Sequence, residues 1–350
     1  MSGEPPGRQR CSTLPRAEAA TLEAGCDREG RVPMAPEGSV LVLGGHGFVG
    51  RHVCAAFAQR GRRVIVAGRR PSPRPSQYPF VRMDLAMLSA AELTAELERL
   101  RPGIVINTVG SIWGRSAEEM WAAAALPTQR LISALSSLSF RPRLVHLGSV
   151  LEYGHVAPGT TVGPHTVPRP DTAYGRAKLA ATETAVRAMR SGAVDGMVLR
   201  LANIAGPGAP AISLLGQVAE RLAACVGRDE VAEVRLSPLS AYRDYVDVRD
   251  AAEAVIAAAF ATEHVGVIVD IGRGEAIPVR SLVDLLIKLS GVPARVVEQG
   301  SKPLVPDWLQ LDIRPAMRLL GWRPRRTIAE SVRDYWADVR PSGVQQQTRA

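Results

Sequence analysis

Short runs of Val, Ile and Leu recur along the chain from Ser39 onward, each about the length of one β-strand. In order, the runs are SVLVLGG, RRVIVAGRR, FVRMDL, GIVINTVG, RLVHLGS and GMVLRLAN. Most are separated by Ala- and Leu-rich stretches that are long enough for helices. Strands that are apolar on both faces and alternate with helices pack as a parallel sheet between two helical layers. The pattern therefore predicts an α/β, doubly wound fold.

After about residue 205 the pattern becomes more mixed. RDYVDV and VGVIVDIG still predict strands, whereas PVRSLVDLLIKLSG and RTIAESVRDYWADVR predict amphipathic helices. We expect a dinucleotide-binding domain over residues 38–205. Residues 206–338 are expected to form mainly a smaller, mixed α/β lobe that binds substrate, with segments returning to the sheet, and residues 339–350 a flexible tail.

Residues 1–37 are rich in Pro, Gly, Arg and Glu without an apolar period, and we expect a disordered tail there. They lack the apolar segment of a signal peptide, and Met34 is a candidate translation start. No stretch reaches the roughly 18 apolar residues that a membrane span needs, so we predict a cytoplasmic protein without membrane contact. The cysteines show no paired spacing, which argues against disulfides and against a metal site; they are Cys11, Cys26, Cys54 and Cys225.

The formal net charge of +9 predicts an anionic partner. Nucleic acid is disfavoured, because the arginines are scattered, aromatic residues make up only 5% of the chain, and no nucleic-acid motif is present. We expect a small phosphorylated ligand instead.

A glycine motif follows the first predicted strand. LVLGGHGFVGRHV places Gly44, Gly47 and Gly50 in a GxxGxxG spacing where the strand ends and a helix begins. Glycine there allows a tight turn, a close approach to a pyrophosphate, and close packing of the helix on the strand. The helix N-terminus, with Phe48 and Val49, attracts phosphate charge. We therefore predict a dinucleotide site in a Rossmann-type domain.

The end of the second predicted strand bears on which cofactor binds. NAD-binding proteins usually carry an acid there to hold the ribose 2′-hydroxyl, whereas this chain carries Arg69. Arg69, with help from Arg70 or His46, is expected to bind a 2′-phosphate, which favours NADPH (NADP+) over NAD. Asp84 and Leu85, after the third strand, are expected to flank the adenine, although Asp84 is also a candidate helix cap.

The segment TAYGRAK places Tyr174 and Lys178 about one helical turn apart on one face. A phenol with a pKa near 10 needs a nearby cation to act as an acid or base at neutral pH, and Lys178 supplies that charge. Lys178 is also a candidate ligand of the nicotinamide ribose. Ser149, at the end of an earlier strand, is expected to orient a substrate carbonyl while Tyr174 donates a proton.

With these residues, the motifs LRLANIAGPG, RDYVDVRDAAEAV, VDIGRGE and LLGWRP make residues 38–338 resemble the extended short-chain dehydrogenase/reductases, the nucleotide-sugar epimerase/dehydratase group. The resemblance implies that Asn203 contacts the sugar or diphosphate and that Arg243 binds the diphosphate. It also implies a homodimer built on a four-helix contact, to which the helix at TAYGRAK would contribute. The chain departs from many relatives at Asp270, where Asn is expected, and at Lys302-Pro303, where Arg-Pro is expected.

Two differences from the motifs of this group limit the reactions that the chain can catalyse. Dehydratases of this group carry an Asp-Glu pair two and three positions before the tyrosine of their YG dipeptide, where this chain has Leu151 and Val150. Neither side chain transfers protons, so 4,6-dehydration is disfavoured. The cysteine of the fucose-type epimerase/reductases is also absent, which disfavours epimerisation at C3 and C5, with His155 and His165 as the remaining candidates for proton transfer.

The predicted function is NADPH-dependent reduction of the C4 ketone of a nucleotide-diphosphate 4-keto-6-deoxyhexose. The similarity is greatest to reductases related to GDP-mannose dehydratase and to those of macrolide deoxysugar pathways, which implies antibiotic biosynthesis. We favour dTDP over GDP as the nucleotide. The alternatives are a nucleotide-sugar 4-epimerase, a reductase of a non-sugar ketone, and an NADP-binding sensor without turnover, the last disfavoured because Tyr174 and Lys178 are both present.

Overall fold

The structure is a computed structural model that describes residues 38–72, 76–110, 116–301, 303–305 and 307–341. The predicted tail over 1–37, Met34 within it, Lys302 and positions 342–350 lie outside these ranges. The strands are β1 (Val40–Leu43), β2 (Val64–Gly68), β3 (Phe80–Arg82), β4 (Ile104–Asn107), β5 (Arg143–Ser149), β6 (Thr161–Val162), β7 (Asp195–Leu201), β8 (Asn203–Ala205), β9 (Ala232–Leu236), β10 (Tyr242–Arg243), β11 (Tyr245–Asp247), β12 (Ile268–Ile271), β13 (Ile277–Pro278), β14 (Ala294–Glu298) and β15 (Trp308–Leu311).

Helices separate most of these strands. They are α1 (Phe48–Gln59), α2 (Ala90–Leu100), α3 (Ala117–Ser136), α4 (Ala173–Arg190), α5 (Leu214–Cys225), α6 (Val248–Phe260), α7 (Val279–Ser290), α8 (Arg314–Leu320) and α9 (Ile328–Val339), and a single 3₁₀ turn, Val150–Glu152, follows β5. Of the helices described, none combines the length and the apolar character that crossing a membrane requires.

Seven of the described strands form one sheet, in the order β12-β7-β5-β4-β1-β2-β3. All its neighbouring pairs are parallel; Val40 of β1, for example, lies opposite Val64 on one side and Ile104 on the other. The chain moves outward from β1 to β3 and then returns to β4 on the opposite side of β1. In open α/β sheets, ligands bind at the carboxyl ends of the strands where the order reverses in this way.

Alternate residues of β1 enter two different hydrophobic cores. Val40 and Val42 pack with residues of α1 and α6, whereas Leu41 and Leu43 pack with residues of α2, α3 and α4. All four are buried, because successive side chains of a strand point to opposite faces and both faces are covered by helices. This confirms the predicted doubly wound α/β fold.

A third hydrophobic core belongs to a smaller lobe, in which α5, α7 and α9 pack together with the parallel pair β9 and β14. The chain returns from this lobe to the large sheet, because α6 contributes to the same core as α1 and β12 pairs with β7. The division near residue 205 stays a prediction, since the lobe and the sheet exchange segments beyond that point.

Asp244 joins segments that lie far apart in the chain. Its side chain, between β10 and β11, is completely buried and accepts hydrogen bonds from the backbone N–H groups of Arg273 at 2.7 Å and Gly274 at 2.9 Å. A third N–H, that of Leu311 in β15, lies 3.3 Å from the same carboxylate. One side chain therefore satisfies donors from the segment after β12 and from the last strand.

Replacing Asp244 with alanine is expected to destabilise the fold, because three backbone donors lose their partner in a site that water cannot easily reach. We expect the free energy of unfolding, measured by urea denaturation, to fall by about 2–4 kcal/mol. The exposed Asp229 provides the control, and Asp229→Ala is expected to stay within about 0.5 kcal/mol of the parent chain. Equal stability of the two variants would contradict this role of Asp244.

Candidate active site

The glycine loop between β1 and α1 is shaped by three glycines. Gly44 has a φ of +79°, a left-handed conformation that side chains rarely adopt, and its carbonyl oxygen accepts a hydrogen bond of 2.8 Å from the N–H of Gly47. A Cβ on Gly50 would overlap that same carbonyl oxygen. The helix can therefore lie against the end of β1 only because Gly50 has no side chain.

The first turn of α1 has the properties of an anion site. Its N-cap is Gly47, whose position has no side-chain cap, and the first turn contains no acidic residue. The N–H groups of Phe48 and Val49 in this turn have no intrahelical partner, as in any α-helix, and the helix dipole favours a negative group beside them. The loop and the helix thus fit the pyrophosphate of a dinucleotide.

Basic and aromatic groups lie beside the loop. Arg69 and Arg70 follow β2 and are exposed. The ring of His46 stacks on that of Phe80, with 5.3 Å between the ring centroids. Both ring nitrogens of His46 are buried and have no hydrogen-bond partner in the described part of the chain. This edge of the site therefore offers cationic groups and unpaired polar atoms to a phosphate-bearing ligand.

Asp84 and Leu85, the two residues after β3 that are expected to flank the adenine, have different surroundings. The carboxylate of Asp84 accepts a hydrogen bond of 3.1 Å from the N–H of Ala86, which closes a turn. It is not a helix cap, because Ser89 caps α2. The side chain of Leu85 is buried in a core, so only its backbone is available to a ligand in this geometry.

The predicted catalytic residues lie at the carboxyl end of β5 and in the helix that packs on it. Ser149 is the last residue of β5, and Tyr174 and Lys178 lie in the first turns of α4, which packs on β5 and on the following 3₁₀ turn. The ammonium of Lys178 donates a hydrogen bond to the carbonyl of Leu147 in β5. A Cβ on Gly110, after β4, would lie 3.6 Å from the same nitrogen. Lys178 is thus buried near the reversal of strand order.

The hydroxyl of Ser149 has a defined orientation. Its oxygen accepts a hydrogen bond of 3.2 Å from the N–H of Leu151. A serine hydroxyl has one donor and two acceptor positions. Because the recorded bond uses an acceptor position, the hydroxyl hydrogen can be donated to a substrate oxygen.

Gly175, between Tyr174 and Lys178, lets α4 lie directly on the turn after Ser149. A Cβ at Gly175 would overlap the carbonyl oxygen of Leu151 and would come within 3.0 Å of the Pro170 side chain. No larger residue fits unless the helix moves away. The glycine in TAYGRAK therefore sets the separation between the tyrosine and the serine.

The electrostatics differ from the expected activation of the phenol. Desolvation raises the pKa of Tyr174, and the negative charge of Glu152 raises it further. Burial lowers the pKa of Lys178 to about 8, although Glu152 acts in the opposite direction. The expected lowering of the phenol pKa by Lys178 is not seen, since burial and Glu152 both act to raise it. The ammonium of Lys178 is hydrogen-bonded to the Leu147 carbonyl instead.

Two residues predicted to contact substrate have partners in the protein. Arg243 in β10 forms an ion pair with Asp307, an acid that lies 64 positions further along the chain. The carboxylate of the neighbouring Asp244 binds backbone N–H groups instead. The side-chain amide of Asn203 in β8 donates a hydrogen bond of 3.2 Å to the carbonyl of Asp244.

His155 connects Asp307 to the segment directly before α4. Its Nδ1 lies 3.2 Å from a carboxylate oxygen of Asp307, and its Nε2 lies 2.8 Å from one of Asp171. Asp171 directly precedes Thr172, the N-cap of α4. His155 is therefore engaged by two carboxylates in this geometry, whereas His165 is exposed.

Comparison with known proteins gives one family. The sequence profile of the NAD dependent epimerase/dehydratase family matches residues 40–272. The dTDP-6-deoxy-L-talose 4-dehydrogenase (NAD(P)(+)) of Kitasatospora kifunensis is 42% identical over 308 residues, which cover 87% of this chain and 96% of that protein. The UDP-glucose 4-epimerase of Streptomyces lividans is 26% identical over 331 residues, or 85% and 95% of the two chains. Among solved structures, MoeE5 in complex with UDP-glucose and NAD matches with a TM-score of 0.75 and 25% identity, covering 86% of this chain and 98% of that one.

These relatives contradict the predicted reductase of a 4-keto sugar. The relative with 42% identity is a 4-dehydrogenase named for NAD(P)+, which is the opposite direction of hydride transfer. The residues could not have decided this point, because a serine, a tyrosine and a lysine act on the same atoms whether a ketone is reduced or an alcohol is oxidised.

Replacing Gly175 with alanine is expected to reduce turnover by about tenfold to a hundredfold, because α4 must move away from the turn after Ser149. We expect cofactor binding, measured by fluorescence titration with NAD(P)H, to change much less. The matched control is Gly163→Ala, since a Cβ at Gly163 would make only an ordinary contact of 3.4 Å. The expectation fails if the two variants turn over at the same rate.

Proposed function

The chain belongs to the NAD dependent epimerase/dehydratase family, and we propose that it is a dehydrogenase that oxidises the C4 hydroxyl of a dTDP-linked 6-deoxyhexose. It is an NAD(P)-dependent oxidoreductase. The observation that carries the proposal is the 42% identity to a dTDP-6-deoxy-L-talose 4-dehydrogenase across 87% of this chain.

The proposed chemistry follows from the groups at the end of β5. Oxidation at C4 removes a proton from the hydroxyl oxygen and a hydride from the carbon. NAD(P)+ bound at the glycine loop supplies the hydride acceptor. Tyr174 accepts the proton as the general base, Ser149 donates its hydroxyl hydrogen to the same substrate oxygen, and Lys178 is proposed to bind the nicotinamide ribose. The sugar leaves as the 4-ketone.

We propose that the preferred cofactor is NADP+. Arg69 and Arg70 stand where an acid would hold a ribose 2′-hydroxyl, and the unpaired ring nitrogens of His46 lie in the neighbouring glycine loop. A guanidinium binds a phosphate through charge-assisted hydrogen bonds, which a bare hydroxyl cannot match. NAD+ is expected to be a weaker substrate.

We propose that Arg243 binds the diphosphate of the substrate and that Asn203 contacts the sugar or the diphosphate. Arg243 is held by Asp307, so the phosphate must displace that carboxylate or share the guanidinium with it. Arg243 is only partly exposed, at 18% of its side chain, which strengthens its attraction to an anion relative to a fully solvated arginine.

The second candidate is a nucleotide-sugar 4-epimerase, which the 26% identity to a UDP-glucose 4-epimerase favours. Such a reaction would oxidise C4 and then reduce the ketone from its other face, with no net use of cofactor. The two candidates differ in one measurable quantity, since only the dehydrogenase forms NAD(P)H in net amount.

We also propose a cytoplasmic homodimer. The helices α3 and α4 lie side by side, and α3 exposes Trp121 and Leu126 at 42% and 39%. Such apolar groups on a helix pair suit a contact with a second copy. A monomeric mass in sedimentation experiments would contradict the dimer.

The dehydrogenase is tested directly by incubating the purified chain with dTDP-6-deoxy-L-talose and either NADP+ or NAD+. We expect nicotinamide absorbance to rise, and NMR of the product to show a dTDP-4-keto-6-deoxyhexose. A new C4 epimer without NAD(P)H would support the epimerase, and no conversion with either cofactor would reject both candidates for this substrate.

Replacing Tyr174 with phenylalanine is expected to lower kcat for oxidation by about a hundredfold or more, because the general base is lost while the ring still packs. In the parent chain kcat should rise with pH across the alkaline range, since burial raises the pKa of Tyr174 and only the deprotonated phenol accepts the proton. The variant should bind NADPH normally and lack this rise. Undiminished turnover of Tyr174→Phe would show that Tyr174 is not the general base.

Replacing Arg69 with alanine is expected to raise KM for NADP+ by roughly tenfold, because a charge-assisted bond to the 2′-phosphate is lost. KM for NAD+ should stay unchanged, since NAD+ carries no such phosphate. The neighbouring exposed arginine gives the comparison, and Arg70→Ala is expected to have the smaller effect. Equal changes in KM for both cofactors would contradict the assignment.

A further inference from the structure

Glu152 lies directly behind the catalytic serine. Its side chain is completely buried, and its Oε1 accepts hydrogen bonds of 2.8 Å from the N–H of Ser149 and 2.9 Å from the hydroxyl of Thr182 in α4. Thr182 follows Lys178 by one helical turn. A single oxygen atom therefore joins the end of β5 to the helix that carries Tyr174 and Lys178.

The other oxygen of Glu152 enters a buried polar network, which consists here of Glu152, Arg200, Tyr153 and Asp270. Oε2 of Glu152 accepts a hydrogen bond of 2.7 Å from the guanidinium of Arg200 in β7. Arg200 also donates to the hydroxyl of Tyr153 at 3.1 Å, and that hydroxyl donates to Asp270 in β12 at 2.9 Å. One arginine thus stands between two buried carboxyl groups.

The backbone leaves space for this arrangement. A Cβ on Gly148, just before Ser149, would lie 2.7 Å from Oε1 of Glu152 and 3.1 Å from the hydroxyl of Thr182. Glycine at this point of β5 allows the carboxylate to reach across the strand to α4. The position of Glu152 is therefore specific, because a bulkier residue at 148 would exclude it.

We propose that Glu152 is a positioning residue of the active site, which holds Ser149 and the helix carrying Tyr174 and Lys178 at a fixed separation and places a negative charge beside them. The proposal rests on the roles given above to those three residues. Asp270 has no such part, because its recorded hydrogen bonds reach Tyr153 and not Ser149 or α4.

The charge of Glu152 acts on both titrating groups of the catalytic helix. Burial lowers the pKa of Lys178, and the charge of Glu152 opposes this, which keeps the ammonium charged to higher pH. Burial raises the pKa of Tyr174, and Glu152 raises it further. The charge of Lys178 also acts on His146 of β5, but burial has the larger effect and lowers the pKa of His146 well below its usual value, so this histidine stays neutral where Lys178 titrates. Among the network acids, burial raises the pKa of Asp270 to about 7.

Three variants separate the two actions of Glu152. Glu152→Gln removes the negative charge. It also replaces one of the two accepting oxygens by an NH₂ group, which can only donate hydrogen bonds. Thr182→Val removes the hydrogen bond between Glu152 and α4 but keeps the charge of Glu152. This variant still tests the positioning if Glu152→Gln does not fold. Asp270→Asn is the matched control, since it removes the other carboxyl of the same network. Thermal denaturation of all three shows which remain folded.

Lysine titration by NMR gives a readout that needs no substrate. The chain contains three lysines, Lys178, Lys288 and Lys302, so protein labelled with ¹³C-lysine gives few signals. Lys288→Arg and Lys302→Arg variants assign them. We expect Lys178 to titrate near pH 8 in the parent chain, at lower pH in Glu152→Gln, and at the parental pH in Thr182→Val and Asp270→Asn.

Turnover tests the positioning. We expect kcat to fall about tenfold in Thr182→Val and in Glu152→Gln with little change in KM, and to stay near the parental value in Asp270→Asn. A parental kcat in Thr182→Val, or an unmoved Lys178 titration in Glu152→Gln, overturns the proposal, and so does an equal shift of that titration in Asp270→Asn. If the sugar substrate is not turned over at all, the proposed function fails, while the lysine titration still decides whether Glu152 acts on Lys178.

Discussion

The contact between α4 and the turn that follows β5 is the constraint on which the candidate active site depends. Ser149 belongs to the sheet and Tyr174 to a helix above it, so their separation is set by how closely the helix approaches. Gly175 lies against the carbonyl of Leu151, where a Cβ would overlap the oxygen, and Glu152 bonds both sides of the same contact. Steric fit and a shared hydrogen-bond acceptor thus fix one geometry, and close packing leaves little freedom for another.

Buried charge is the second feature of this site. Removing an ion from water is expensive unless it is paired and hydrogen-bonded, so charges inside a sheet protein must be compensated locally. Arg200 compensates Glu152 and faces Asp270 across Tyr153, while Lys178 uses a backbone carbonyl. The carboxylate that is bonded to this helix also influences how the candidate catalytic phenol and ammonium titrate. Position and protonation are therefore coupled through one side chain.

The proposed substrate side is built differently, from ion pairs that are partly exposed. Arg243, Asp307, His155 and Asp171 form a chain of contacts from β10 to the residue before the N-cap of α4. Water weakens such pairs, so the phosphate of the proposed substrate would compete for Arg243 at modest cost. The deep network is suited to fixing geometry, and the outer pairs are suited to exchanging partners.

The sequence alone determined the doubly wound fold, the glycine loop and the grouping of Ser149, Tyr174 and Lys178 as candidate catalytic residues, since these depend on local periodicity and on the order and spacing of short motifs along the chain. It could not reveal Glu152 as the partner of Thr182 and Arg200, or Asp307 as the partner of Arg243, because each pair joins segments that meet only after the sheet has formed. The direction of the reaction was predicted wrongly from the same residues, because they serve both directions equally. Tertiary structure decided which buried groups share a hydrogen bond, because burial and pairing are properties of the packed chain and not of the order of its amino acids.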